Sequence, residues 1–146
     1  MAEALFKLML GRDVFVDSCG LWRGPLEPDE PADAVQADPF VGRVMAEVGY
    51  DLIHHRTKTF DELEDTSFDL VISLTLESQQ RALEIARGRA ADIEYWPTSD
   101  PTLVEGSRDV RLAAYRQVRN ELARRIAERF GAPLPAPIDL APPRAL

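Results

Sequence analysis

The sequence contains a single cysteine, Cys19, and an arginine follows it at position 23. A cysteine thiolate that attacks a phosphate needs a loop whose backbone N–H groups converge on the phosphate oxygens, and such a loop places five residues between Cys and Arg. Only three residues separate Cys19 from Arg23. The Gly24-Pro25 pair then interrupts the chain where a helix N-terminus would be needed to activate the thiol. We therefore interpret Cys19 as an inert, partly buried residue.

Asp100 is the second residue that could do chemistry. It precedes Pro101 in a loop that follows the predicted strand ending at Trp96. A carboxylic acid at such a position can protonate a leaving oxygen. An Asp-Pro pair is also a common turn sequence. From spacing alone the turn is the favoured interpretation, and the general acid is the alternative.

His54 and His55 are the third candidate. Adjacent side chains point to different sides of either regular structure, so the two imidazoles cannot both face one ion. No cysteine or carboxylate nearby offers a typical metal-ligand spacing. The pair therefore predicts a surface or hydrogen-bonding role and no metal site.

Seven arginines between Arg108 and Arg129 form the fourth candidate. A basic helix of this kind can contact an anionic partner. More often such a helix is a solvated face, and Glu121 and Arg125 have the spacing of an ion pair within a helix. The solvated face is the favoured interpretation.

The elements that must position these residues follow from periodicity and propensity. Apolar spacing predicts helices at residues 1–10 and 77–88, a helix of about ten residues ending at Gly49, and a long helix at 107–130. Short β-rich runs predict strands at 14–18, 69–74 and 92–96. This alternation predicts an α/β fold with a parallel sheet, whose functional residues lie at the carboxyl ends of the strands.

Two segments carry turn and linker signals. Residues 24–39 contain four prolines and five carboxylates, which predicts a surface loop. Residues 131–146 contain five of the eleven prolines, and we expect a disordered tail there. The expected domain therefore covers residues 1–130.

Composition limits the classes of function. A net charge of −8 disfavours non-specific nucleic-acid binding, which depends on neutralising phosphates. One cysteine cannot form an intramolecular disulfide, so a reducing compartment is expected. The sequence has no apolar run long enough to cross a bilayer and no signal-peptide pattern at its start. We expect a cytoplasmic protein with no membrane or nucleic-acid partner and no cofactor or metal.

Several stretches, taken in order, resemble the low-molecular-weight phosphatase family, which includes low-molecular-weight tyrosine phosphatases and related arsenate reductases. The similarity extends over about residues 1–130 in the right order, and only the ordered set of stretches is specific. The stretches are Met1–Phe6, Val16–Gly20, Met45–Arg56, Phe68–Leu74 and Trp96–Pro101.

The resemblance implies a three-layer α/β sandwich with a short parallel sheet flanked by helices. It also implies a mechanism in which a Cys-(five residues)-Arg-Ser/Thr loop holds the phosphate and the thiolate forms a phosphocysteine intermediate. An aspartate of an Asp-Pro pair protonates the departing alcohol, and by resemblance Asp100 takes this role. The implied substrate is a phosphorylated small molecule or protein.

The departures from the family are as informative as the matches. The phosphate loop and the first, central strand of the family would lie before Met1, so this chain holds no nucleophile and we expect it to be inactive as given. We expect the true start to lie about a strand and a loop upstream. The alternative is a non-catalytic binding or regulatory domain that begins at Met1.

Two further departures concern the substrate. Thr102-Leu103-Val104 follow the Asp-Pro pair where the tyrosine phosphatases often carry aromatic residues, so phosphotyrosine specificity is not expected. Thioredoxin-coupled arsenate reductases need two more cysteines, which these residues do not contain. An arsenate reductase recycled by an external thiol is the alternative to a phosphatase.

Overall fold

The computed structural model describes residues 1–21, 38–63 and 67–138. These residues form a mixed α/β structure, which confirms the predicted fold class. The helices and strands are α1 (Ala2–Leu10), α2 (Pro39–Ala46), β1 (Leu70–Ser73), α3 (Leu76–Ala86), β2 (Asp92–Tyr95) and α4 (Arg108–Phe130). Most of the loop predicted at 24–39 and the second half of the predicted tail lie outside the described residues.

The described chain divides into two compact units. The helical unit comprises residues 1–18, 38–56 and 100–138, and it contains α1, α2 and α4. The sheet unit comprises residues 19–21, 57–63 and 67–99, and it contains β1, α3 and β2.

Helix α4 provides the core of the helical unit, and both α1 and α2 pack against it. The apolar face predicted from helical periodicity is confirmed, because Tyr115, Val118, Leu122 and Ile126 are all buried. Phe130, at the end of this face, is half-buried. Burial of this stripe explains why so arginine-rich a helix folds against the other two.

The ends of α4 are fixed by local chemistry. The Ser107 hydroxyl accepts a hydrogen bond from the backbone N–H of Val110 at 3.3 Å, which caps the first turn. Gly131 ends the helix in the left-handed conformation, with φ of 67°, and its N–H donates to the carbonyl of Ala127.

Helix α2 begins earlier than its apolar spacing predicts. The Asp38 carboxylate accepts a hydrogen bond from the backbone N–H of Phe40 at 2.8 Å, and Pro39 occupies the first helical position. The helix proper ends at Ala46, and the chain turns at Gly49 with φ of 79°.

The sheet unit is built on two parallel strands. Leu70 of β1 is opposite Asp92 of β2, and the register runs to Ser73 opposite Tyr95. Helix α3 connects the strands and packs against both, as a parallel crossover requires. A reciprocal capping box between Thr75 and Ser78 starts this helix. The strands predicted at 69–74 and 92–96 and the parallel character of the sheet are confirmed.

The strand predicted at residues 14–18 is wrong. No described strand pairs with this segment, and Val14 and Phe15 are 45% and 70% exposed. A β-rich sequence forms a strand only where a neighbouring backbone completes its hydrogen bonds.

Ile138, within the segment predicted as a tail, is buried. No helix in the described part of the chain combines the length and apolar character needed to span a membrane.

Candidate active site

The loop that leads to Asp100 leaves the sheet at the carboxyl end of β2. The parallel pairing continues past the strand, because the N–H of Trp96 donates to the carbonyl of Ser73 at 2.8 Å and that of Thr98 to Leu74 at 3.1 Å. Backbone bonds therefore fix the path of the chain to within two residues of Asp100.

The Asp100 side chain is exposed and caps a short 3-10 turn, Pro101–Leu103. Its Oδ1 atom accepts two hydrogen bonds from Thr102, one from the backbone N–H at 2.9 Å and one from the hydroxyl at 2.5 Å. The Asp-Pro turn predicted from the sequence is therefore present. It leaves a solvent-accessible carboxylate, and the general-acid role of that carboxylate stays a prediction.

Tyr115 of α4 lies within electrostatic range of Asp100. Its hydroxyl donates a hydrogen bond to the Asp38 carboxylate, which also caps α2. Burial, followed by this hydrogen bond, raises the pKa of Tyr115 to about 12, and the negative charge of Asp100 acts in the same direction. The sequence does not predict this group, because Asp38 falls inside a predicted loop and Tyr115 on the apolar face of a predicted helix.

Two exposed apolar side chains lie three and four residues after Asp100 in the sequence. Leu103 is 77% exposed and Val104 is 36% exposed. An exposed aliphatic surface therefore ends the Asp-Pro turn. This surface can contact an apolar part of a substrate but offers no ring for stacking.

Cys19 is half-buried, and Arg23 lies outside the described residues. The next residue, Gly20, donates its N–H to the carbonyl of Lys58 at 2.8 Å within an isolated parallel bridge to Thr59. The chain around Cys19 is therefore held by backbone pairing, and the absence of a nucleophilic role for this thiol stays a prediction.

The two histidines lie in different environments, as expected for adjacent residues. His54 is exposed, whereas His55 is half-buried with its Nδ1 atom 3.8 Å from Oε2 of Glu3. Glu3 is itself buried, and it accepts hydrogen bonds from Ser18 and, at 2.5 Å, from Lys7. The hydrogen bond to Glu3 raises the pKa of Lys7. The sequence gives no sign of this cluster beyond the spacing of Glu3 and Lys7, which is that of an ion pair within a helix.

Two arginines of α4, Arg116 and Arg119, bind the carboxylate of Glu47, which directly follows the last residue of α2. Arg116 forms a bidentate pair with Glu47, and Arg119 donates to Glu47 Oε2 and to the carbonyl of Val44, both at 2.7 Å. The hydrogen bond from Arg116, assisted by Arg119, lowers the pKa of Glu47. Arg119 is only 4% exposed, so the expectation of a solvated face is wrong for this residue.

Other arginines of α4 also have partners within the chain. The predicted pair of Glu121 and Arg125 is confirmed at 2.7 Å. Arg111 lies over the ring of Phe40, 4.6 Å from its centroid. These intramolecular partners argue against α4 as a free anion-binding face.

In the ranges that the structure describes, no group of three His, Cys, Asp or Glu residues is placed to hold a metal ion. An open surface hollow of the helical unit contains none of the candidate residues. It is lined by Gly42, Ala46, Gly49, Tyr50, Asp51 and Leu52.

Comparison with known proteins gives a distant relative. No family model matches the chain. The chain is 27% identical over 128 residues to an arsenate reductase from Halalkalibacterium halodurans, and the match covers 86% of this chain and 81% of that protein. This similarity supports the superfamily of arsenate reductases and low-molecular-weight phosphatases as the class of protein to which the chain is related. It does not by itself assign an activity.

Proposed function

We propose that this chain is the acid-bearing part of an enzyme that acts on a tetrahedral oxyanion through a cysteine thiolate. The thiolate and its arginine belong to a polypeptide segment outside residues 1–146. Phosphomonoester hydrolysis is the first candidate reaction, and residues 1–146 alone are inactive. The exposed carboxylate of Asp100 after the carboxyl end of β2 is the observation that carries this proposal.

The sheet offers a place for the missing segment. The carbonyls of Asp69, just before β1, and of Ser73 at its end accept hydrogen bonds from the backbone N–H groups of Asp92 and Trp96. Because alternate residues of a strand direct their backbone groups to opposite sides, those of Leu70 and Ile72 point away from β2. No described strand pairs with this edge of β1. A parallel sheet normally has more than two strands and is covered on both faces, so an additional apolar strand would extend this pair.

The proposed mechanism uses two side chains with complementary roles. The supplied thiolate attacks phosphorus, and the loop N–H groups and arginine stabilise the charge on the phosphoryl oxygens. Asp100 donates its proton to the departing alcohol oxygen, which avoids release of an alkoxide. The resulting carboxylate then accepts a proton from the water that hydrolyses the phosphocysteine.

Arsenate reduction is the second candidate, favoured by the name of the relative. Arsenate has the charge and tetrahedral shape of phosphate, so the same loop can bind it. The thiolate would displace an arsenate oxygen, and an external thiol would complete the two-electron reduction to arsenite while a disulfide forms. Cys19 is the single cysteine of this chain, so the second thiol must come from another molecule.

Complementation in trans tests the proposal. The purified chain is mixed with a synthetic peptide that contains an apolar strand followed by Cys-(five residues)-Arg-Ser. Docking is followed by hydrogen exchange, with slower exchange expected at the amides of Leu70 and Ile72. Turnover is followed with phenyl phosphate and, separately, as arsenate-dependent thiol consumption. We expect no turnover by the chain alone and phosphate release once the peptide docks.

The variants assign the roles. Asp100→Asn should slow the complemented reaction by about 10²–10⁴-fold, the usual contribution of a general acid. A peptide with serine in place of cysteine should give no turnover, and Cys19→Ser should leave it unchanged. Turnover by the chain alone that Cys19→Ser abolishes would overturn the proposal. A docked peptide without either activity would favour a non-catalytic domain.

A further inference from the structure

The two oxygens of the Asp100 carboxylate are in different environments. Oδ1 accepts both the backbone N–H and the hydroxyl of Thr102, at 2.9 and 2.5 Å. Oδ2 accepts no hydrogen bond from any residue that the structure describes. When the carboxyl is protonated, the oxygen that accepts two hydrogen bonds is the less favourable site for the hydrogen, because one of those bonds would have to be given up. Oδ2 is therefore the favoured site of the proton.

We propose that Thr102 is a positioning residue that fixes the side chain of Asp100 and directs its acidic proton to the exposed oxygen Oδ2. The inference rests on the proposed function, in which Asp100 is the general acid. An exposed aspartate normally samples several rotamers, and each wrong rotamer removes the acid from the reacting oxygen. Two donors from one residue restrict both side-chain torsions of Asp100.

The sequence Asp-Pro-Thr is well suited to this arrangement. Pro101 has a fixed φ and no N–H, so the first backbone donor after Asp100 belongs to Thr102. Threonine is β-branched and has a restricted χ1, which limits the positions that its hydroxyl can take. Thr102 therefore supplies a backbone donor and a side-chain donor from one rigid residue.

The neighbouring tyrosine does not provide this function. The hydroxyl of Tyr115 has one hydrogen, and it is donated to Asp38. Capping of the 3-10 turn also does not account for the second bond, since the backbone N–H of Thr102 alone caps that turn. The hydrogen bond from the Thr102 hydroxyl to Asp100 is therefore needed for positioning the carboxylate but not for capping the turn.

A pair of variants separates the two roles. Thr102→Val keeps the backbone N–H and the branched shape but removes the hydroxyl, whereas Thr102→Ser retains the hydroxyl. In the 146-residue chain, three-bond NMR couplings to the Asp100 carboxyl carbon report its χ1 rotamer. We expect one rotamer in the parent chain and in Thr102→Ser, and rotamer averaging in Thr102→Val at an unchanged melting temperature. A single rotamer in Thr102→Val would overturn the inference.

The complemented enzyme provides a readout that a structural role would not move. With phenyl phosphate, whose leaving group needs a proton, Thr102→Val should lower the rate about tenfold, the equivalent of about one hydrogen bond. With 2,4-dinitrophenyl phosphate, whose leaving group needs no proton, the rate of the first-turnover burst of dinitrophenolate should change by less than about twofold, because Asp100 acts on this substrate only in the later hydrolysis of the phosphocysteine. Equal losses with both substrates would overturn the inference, as would no loss with either while Asp100→Asn remains slow. A docked peptide without turnover would instead contradict the proposed function.

Discussion

At the scale of single residues, the Glu47 carboxylate binds two arginines of α4. It accepts hydrogen bonds from Arg116 and Arg119, and Arg119 is buried. A buried guanidinium without a carboxylate partner is costly, because neither water nor another charge compensates it. This group therefore contributes to stability through Arg119 and is not a surface ion pair of negligible effect.

We predict that Glu47→Gln destabilises the chain by about 1.5–3 kcal/mol at pH 7, the range for hydrogen bonds to charged groups. The pKa of Glu47 is lowered from its usual 4.5 by the hydrogen bond from Arg116, so the carboxylate stabilises the fold above that pH. This contribution is lost as pH falls through the lowered pKa. Urea unfolding should show the parent and variant converging as the pH falls below about 4.5. Glu128→Gln, at an exposed position of α4, is the matched control; an equal effect there would contradict the assignment.

At the scale of elements, Gly131 and Gly42 have different backbone conformations and therefore contribute differently to the stability of their helices. Gly131 ends α4 with φ of 67°, where any other residue is strained. Gly42 lies inside α2, and a Cβ added there would meet no atom within 4 Å. The same substitution should therefore have opposite effects at the two positions.

We predict that Gly131→Ala lowers the free energy of unfolding by about 1 kcal/mol, because alanine disfavours the left-handed conformation. Gly42→Ala should raise it by roughly 0.5–1 kcal/mol, because alanine loses less entropy in a helix. Denaturant unfolding of both variants beside the parent chain measures the two shifts. Destabilisation by Gly42→Ala would show that this position of α2 requires glycine for a reason other than helix propensity.

At the scale of the whole molecule, burial is distributed unevenly between the two units. Ala82 is the one apolar residue that is fully buried among the described residues of the sheet unit, and Ser73 is also buried. The helical unit contains the largest buried side chains, among them Leu5, Met45, Leu122 and Ile126. Because apolar burial is the main stabilising term of folding, the two units should differ in local stability.

Native-state hydrogen exchange tests this difference. We predict that amides of β1, β2 and α3 exchange at least about tenfold faster than those of the middle of α4, because sub-global opening follows local burial. The measurement uses the chain alone at neutral pH, with fragments assigned by mass spectrometry. Uniform protection across both units would show that they open together and would contradict the prediction.

Much of the local structure was predictable from the sequence. The buried face of α4 follows from residues spaced three and four apart, and the parallel strands follow from short β-rich runs separated by a helix. The Asp-Pro turn at Asp100 follows from the two residues themselves. These features depend on neighbours within a few positions, so a local pattern contains the information that specifies them.

Only the tertiary structure decided which distant side chains meet. Glu47 and Arg119 are 72 residues apart, and Glu3 and Ser18 are 15 apart, so no local spacing predicts either contact. The predicted strand at 14–18 failed for the same reason, because a strand depends on a partner from elsewhere in the fold. The sequence by itself determined the helices, the parallel pairing and a carboxylate in a loop. Long-range packing decided which charges are buried and which strand edge is left open, because both depend on atoms that are distant along the chain.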